Sequence, residues 1–242
     1  TFNAEIKVFA ERDKSAYYPG EFGYLLIEKL KLNWENKMNN AVFYDTVRLE
    51  NDGYADIQLQ EFVDLPSFIE PLNFPINLKP HELGMLVLKI DLSLADTIGP
   101  LAGSLKINTT DKYFKRKQID YYLDVKSDYS SLTRRQLKNA PKLILSSDLV
   151  DMGTMKSGIV RTKTITITNA GKQPLIFKRI ETDCSCAILK PTKKILATDE
   201  SLEIPVFYDS LFKSGKQFKK ITLYSNDPAN PIQIITIKAD VK

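Results

Sequence analysis

The sequence predicts an all-β protein: two immunoglobulin-like β-sandwich domains in tandem, joined by a short linker. Three observations predict it. Apolar and polar residues alternate at period two along several stretches, one pattern is written twice, and strong helical periodicity is scarce.

The alternation is plain at Leu86, Leu88, Ile90 and Leu92, at Ile119, Tyr121, Leu123 and Val125, and at Leu202, Ile204, Val206 and Tyr208. Successive side chains of a strand point to opposite faces, so each set lines one face of a sheet. From Thr162 to Thr168 threonine takes every second position, with Ile165 and Ile167 among the residues between, and β-branching favours strand. The best helical stretch, Tyr129 to Lys138, is short and polar.

The repeat is anchored by Asn51-Asp52-Gly53 and Asn169-Ala170-Gly171, which close β-like runs at an offset of 118 residues (51 to 169). At that offset Lys79-Pro80-His81-Glu82 falls on Ala197-Thr198-Asp199-Glu200, each before an alternating strand that ends in aspartate, Asp91 or Asp209. With two residues deleted, Leu105 to Asp111 matches Ile221 to Asp227, and Ile119 to Val125 matches Ile235 to Val241. Each copy is expected to hold about seven short strands, the spacing of an immunoglobulin-type sandwich.

These matches set the expected boundaries. Residues 1–30 form a lead-in, 31–126 the first domain, 127–139 a serine- and charge-rich linker, and 140–242 the second domain. Ala140-Pro141 opens the second domain, because proline disfavours helix in the residue before it. Ile6, Val8 and Ala10 alternate and are followed by a polar, aromatic stretch, as Ile119 to Val125 is. Residues 1 to 10 therefore read as the last strand of an upstream repeat, so that the natural protein is expected to extend upstream, or else as an edge strand of the first domain.

Composition argues for an ordinary globular chain, with 43% hydrophobic and 26% charged residues. A net charge of +4 is too mild for a nucleic-acid binder. The basic groups Lys112, Lys115, Arg116 and Lys117, and Lys213, Lys216, Lys219 and Lys220, read as solvated strand edges that lysine protects from aggregation, with an anion-binding surface as the alternative. No apolar run approaches the roughly 18 residues of a membrane helix.

Four signatures in order then resemble a bacterial family of exported immunoglobulin-like domains, the domain of unknown function fifteen seventy-three. They are Val150-Asp151-Met152-Gly153 with Gly158 five residues on, Asn169-Ala170-Gly171, Cys184-Ser185-Cys186, and Ser225-Asn226-Asp227-Pro228. The resemblance covers residues 140 to 242. Residues 40 to 126 resemble the family more weakly, with Pro66 and Phe68 at the cysteine positions. It implies a sandwich fold, related to hydin-like and major-sperm-protein-like domains. It also implies an exported setting, periplasmic or outer-membrane-associated, and says nothing of an activity.

The chemistry that the sequence offers is confined to Cys184 and Cys186. Two residues apart on a strand, their sulfurs share one face. Three readings stand. They are small apolar residues filling a sheet face. They form a tight disulfide, for which a strand's separation of roughly 6.5–7 Å between Cα atoms is at the edge of what the bond allows without a local kink. Or, as two thiolates, they hold a soft metal such as Cu(I). Catalysis has little support. The single histidine, His81, precedes a strand in a turn and is answered by Asp199 in the second copy, and no nucleophile elbow or phosphate-binding glycine loop occurs. No cofactor is expected. Trp34 either packs under the first sandwich or presents a contact to a glycan or partner. The expected function is non-catalytic interaction or scaffolding with a protein or envelope component, with metal or redox handling at the cysteines and glycan binding as alternatives.

Overall fold

The computed structural model describes residues 20–242, and the proposed upstream strand at residues 1 to 10 lies outside them. The chain is all-β and divides into two compact units. One runs up to Ala95 and resumes over Pro100–Asp124, and the other comprises Asp96–Gly99 and Val125–Lys242.

The first unit holds β1 (Gly20–Phe22), β2 (Leu25–Ile27), β3 (Lys31–Met38), β4 (Val42–Asn51), β5 (Ile57–Val63), β6 (Ile69–Pro71), β7 (Ile76–Leu78), β8 (Leu83–Asp91), β9 (Gly99–Thr109) and β10 (Arg116–Lys126). They form one sheet in the order β1-β2-β4-β8-β6 and another in the order β3-β10-β9-β5-β7. A short helix, α1 (Arg134–Lys138), follows in the connecting segment. Its first turn is closed by a capping box, in which Thr133 Oγ1 accepts from Gln136 N and Gln136 Oε1 accepts from Thr133 N.

The second unit repeats the design: β11 (Leu143–Leu145), β12 (Leu149–Met155), β13 (Val160–Asn169), β14 (Leu175–Thr182), β15 (Ala187–Leu189), β16 (Ile195–Leu196), β17 (Ser201–Asp209), β18 (Gly215–Ser225) and β19 (Ile232–Val241). Its sheets run β11-β13-β17-β15 and β12-β19-β18-β14-β16. The repeat extends to the hydrogen-bond register. Val42 pairs with Asp91 and Glu50 with Leu83, while Val160 pairs with Asp209 and Thr168 with Ser201. Even an irregularity recurs, since the ladder slips between Leu59 and Glu61 in β5 and between Phe177 and Arg179 in β14.

The alternating sets line the cores as expected. Leu86, Leu88, Ile90, Ile119, Leu123, Ile204, Val206 and Tyr208 are completely buried. Two expectations need correction. The first domain does not begin at residue 31, because Leu25, Leu26 and Ile27 are buried and β2 pairs with β4. Each unit also carries more than seven strands, because the short stretches β6, β7, β15 and β16 pair with the long ones.

Candidate functional site

One end of the first sandwich is built by two buried polar side chains. Asn51 ends β4, and its amide nitrogen donates to Ala55 O (2.7 Å), Leu78 O (3.0 Å) and Lys79 O (3.1 Å), while its oxygen accepts from Gly53 N (3.0 Å). Asp111 follows β9. Its carboxylate accepts from Tyr24 N (3.0 Å), Leu25 N (3.1 Å) and Tyr113 N (3.1 Å). Together they tie the turn before β2, the β4–β5 turn, the β7–β8 turn and the β9–β10 hairpin to one end of the domain. The side chains of these four connections therefore share a surface.

That surface is aromatic. Tyr24, Tyr54 and Tyr113 are 37%, 86% and 60% exposed, and Phe114 is exposed beside them in the same hairpin. The rings of Tyr24 and Tyr113 meet edge to face at 5.3 Å, and those of Tyr54 and His81 do so at 5.3 Å. A hydrogen bond between the Tyr24 and Tyr113 side chains, followed by their mutual charge repulsion, holds the Tyr24 phenol above its ordinary value. Lys112 Nζ lies 5.8 Å from the Tyr113 ring. The Tyr24 ring also roofs Gly53, where a Cβ would lie 2.9 Å from it.

The second sandwich builds the same end with other side chains. Asn169 donates to Gln173 O (2.9 Å), Leu196 O (3.1 Å) and Ala197 O (3.0 Å) and accepts from Gly171 N (3.0 Å). Asp227 accepts from Leu143 N (2.9 Å) and Ala229 N (2.9 Å). At the positions of Tyr24, Tyr54, His81 and Tyr113 stand Lys142, Lys172, Asp199 and Ala229, all exposed. His81 and Asp199 even share a left-handed backbone, with φ of 58° and 59°. The scaffold therefore folds without rings at these four positions. Sequence reasoning weighed His81 as a turn residue and missed the tyrosines. The signal was present, in the exposed positions where the two copies differ in chemistry while their anchors agree.

Beneath the aromatic end, Lys117 Nζ donates to Asp111 Oδ2 at 2.7 Å, and neither side chain is solvent-accessible. Burial pushes the Asp111 carboxyl up, but the Lys117 hydrogen bond and the backbone N–H groups of Tyr113 and Leu25 outweigh it, and the net shift is downward. Burial pulls the Lys117 ammonium down more than Asp111 raises it. Lys117 thus departs from the solvated strand edge expected of its basic cluster. The second copy has Gln233 in its place, donating to Leu143 O at 3.0 Å.

The cysteines are in the second sandwich, between β14 and β15, in a turn and not on a strand. The turn brings their Cα atoms to 5.2 Å, closer than an extended strand allows, and the two sulfurs are bonded. Each is half-buried against the core. As a disulfide neither sulfur is a thiolate, so a soft metal at Cys184 and Cys186 requires the reduced pair. Among the described residues no group of three metal-ligating His, Cys, Asp or Glu side chains occurs, and Met152 and Met155 are buried in the core. Trp34 takes the packing role. It is buried, stacks on Tyr121 at 5.6 Å, and donates from Nε1 to Asp45 at 2.9 Å. No helix among the described residues is long and apolar enough to cross a membrane.

The fold has a counterpart of known structure. A protein of unknown function from Porphyromonas gingivalis W83 is 20% identical, with a TM-score of 0.57, and the alignment covers 90% of this chain and all of that one. At that identity the likeness is one of fold. The CupB2 chaperone of Pseudomonas aeruginosa is 8% identical over 87% of this chain and 98% of its own, but its TM-score of 0.32 is too low to bear on fold or function. None of the curated proteins matches the chain. Residues 143–241 match the model of the DUF1573 family, described as protein of unknown function, and this is the stretch that carries the four signatures.

Proposed function

We propose that this chain is a non-catalytic interaction or scaffolding protein of the bacterial cell envelope, and that it binds its partner through the aromatic end of the first sandwich. One observation carries the reading. Two copies of one scaffold agree in their buried anchors, Asn51 with Asn169 and Asp111 with Asp227, yet only the first displays Tyr24, Tyr54, His81 and Tyr113. Exposed rings that a fold does not need cost solubility, and tyrosine supplies large contact area at low conformational-entropy cost. The partner is a protein or another envelope component. Export, to the periplasm or the outer membrane, is supported by the Cys184–Cys186 disulfide, which persists in oxidising compartments.

Site-specific photo-cross-linking in the producing cells tests this reading. A photoreactive residue at position 54 is expected to give a discrete adduct, and the same residue at position 172, its counterpart in the second copy, is expected to give none. Equal labelling at both positions overturns it. The exposed ring cluster also meets the requirement of a glycan-binding module, which is the second reading. Binding on a glycan array that Tyr54→Ala and Tyr113→Ala abolish would favour it, and an array without hits would remove it.

A further inference from the structure

The turn that holds Cys184 and Cys186 exists twice. In the second sandwich Ala187 N donates to Cys184 O (3.5 Å) and Asp209 N to Cys186 O (2.8 Å). In the first, Ile69 N donates to Pro66 O (3.0 Å) and Asp91 N to Phe68 O (2.9 Å). Each turn has a serine at its centre, Ser185 or Ser67. Pro66 fixes its own φ, and the buried Phe68 ring, 6.1 Å from Tyr121, anchors the other side. The fold makes this turn without a bridge.

A bridge across so short a loop also adds little stability. In the chain-entropy account, closing a loop of three residues contributes only about half of what closing a 15-residue loop does. A disulfide that neither shapes its turn nor greatly stabilises its domain has the properties of an exchangeable one. Its surroundings agree. The two cysteine residues are half-buried beside β15, the last strand of its sheet. Just beyond them Ile188 pairs with Phe207 across β15 and β17, and these side chains are 40% and 36% exposed. An incoming chain would meet an apolar step next to the bond.

We propose that Cys184–Cys186 is a redox-exchange site whose substrate is a dithiol. A substrate thiolate attacks one cysteine sulfur, the Cys184–Cys186 bond breaks, and its electron pair leaves on the other cysteine, which takes up a proton. The second substrate thiol, deprotonated, then attacks the mixed disulfide. The substrate leaves as a disulfide, oxidised by two electrons, and Cys184 and Cys186 remain as two thiols. The activity is independent of the aromatic end, since it resides in the second sandwich.

The test uses the whole 242-residue chain in buffers of graded reduced to oxidised glutathione, with alkylation to trap thiols and mass spectrometry to count them. The pair is expected to pass from oxidised to reduced within the glutathione series while the chain stays folded. Its thermal midpoint is expected to fall by about 10 °C or less on reduction. The reduced chain is expected to be reoxidised by oxidised glutathione, and a Cys186→Ser variant to accumulate the mixed disulfide with glutathione that the parent resolves. A pair that stays oxidised throughout, or that yields only when the chain unfolds, overturns the proposal. So does a parent that accumulates the mixed disulfide as the variant does. An oxidised peptide dithiol recovered after incubation with the chain supports a protein source for the substrate.

Discussion

Asn51 and Asn169 stand 118 residues apart and make the same four hydrogen bonds, to carbonyls 4, 27 and 28 residues further on and from the amide two residues on. Both are completely buried. Each reaches the last carbonyl of a short strand, Leu78 O in β7 or Leu196 O in β16, in a buried setting where an unmet partner costs about 1–3 kcal/mol. Asn51→Ala is expected to destabilise the first sandwich by about 2–4 kcal/mol. Trp34, the only tryptophan and buried in that sandwich, reports it directly in urea unfolding followed by fluorescence. Asn169→Ala is expected to leave that transition in place and to speed amide hydrogen exchange in β13.

The Asp111–Lys117 pair makes the first sandwich sensitive to acid. The folded Asp111 pKa lies below its ordinary value, so the folded state resists protonation more than the unfolded state does. The pair's stabilisation is therefore full above the ordinary carboxylate range and is lost as pH falls through the lowered folded value. At neutral pH Asp111→Asn removes the carboxylate that faces the buried Lys117 ammonium and is expected to cost about 3–5 kcal/mol. The gap between variant and parent is expected to narrow as pH falls below the carboxylate range, in urea melts read by Trp34. Lys117→Gln, which copies Gln233, is expected to be tolerated better than Lys117→Met.

Gly53 and Gly171 occupy equivalent turns with unequal room. A Cβ on Gly171 would lie 2.2 Å from Ala140 O, 2.5 Å from Lys142 N and 2.6 Å from Pro141 Cα, all backbone atoms. A Cβ on Gly53 would meet only Tyr24, whose Cβ and Cγ lie at 2.9 Å, a smaller overlap and with a single residue. Gly171→Ala is expected to lower the thermal midpoint more than Gly53→Ala. Gly53→Ala is expected instead to move the Tyr24 and Tyr113 ring signals in an NMR spectrum.

The fold was legible because period-two alternation and the Asn-x-Gly repeat are local patterns, and each copy of the repeat validates the other. The start of the first domain was not, because Leu25-Leu26-Ile27 is too short to show a period and is recognised only by pairing with β4. The cysteines were read on a strand, whereas the chain turns there, as the proline at the matching position 66 could have indicated. Lys117 looked like one of a run of surface cations. Alternation with Ile119 and Tyr121 placed it on the buried face, and only the depth of Asp111 explains why a lysine is held there. The aromatic end was hidden because its residues lie in four separate connections that only the folded chain brings together.

The most direct test of the account exchanges the surface of one copy for that of the other. A variant carrying Tyr24→Lys, Tyr54→Lys, His81→Asp and Tyr113→Ala gives the first sandwich the side chains of the second at all four positions. Its urea unfolding, followed by Trp34 fluorescence, is the measurement. If the rings serve binding and not folding, the variant stays within about 1 kcal/mol of the parent, as surface substitutions usually do. Loss of several kcal/mol, or of the cooperative transition, would make the rings part of the structure and contradict the account.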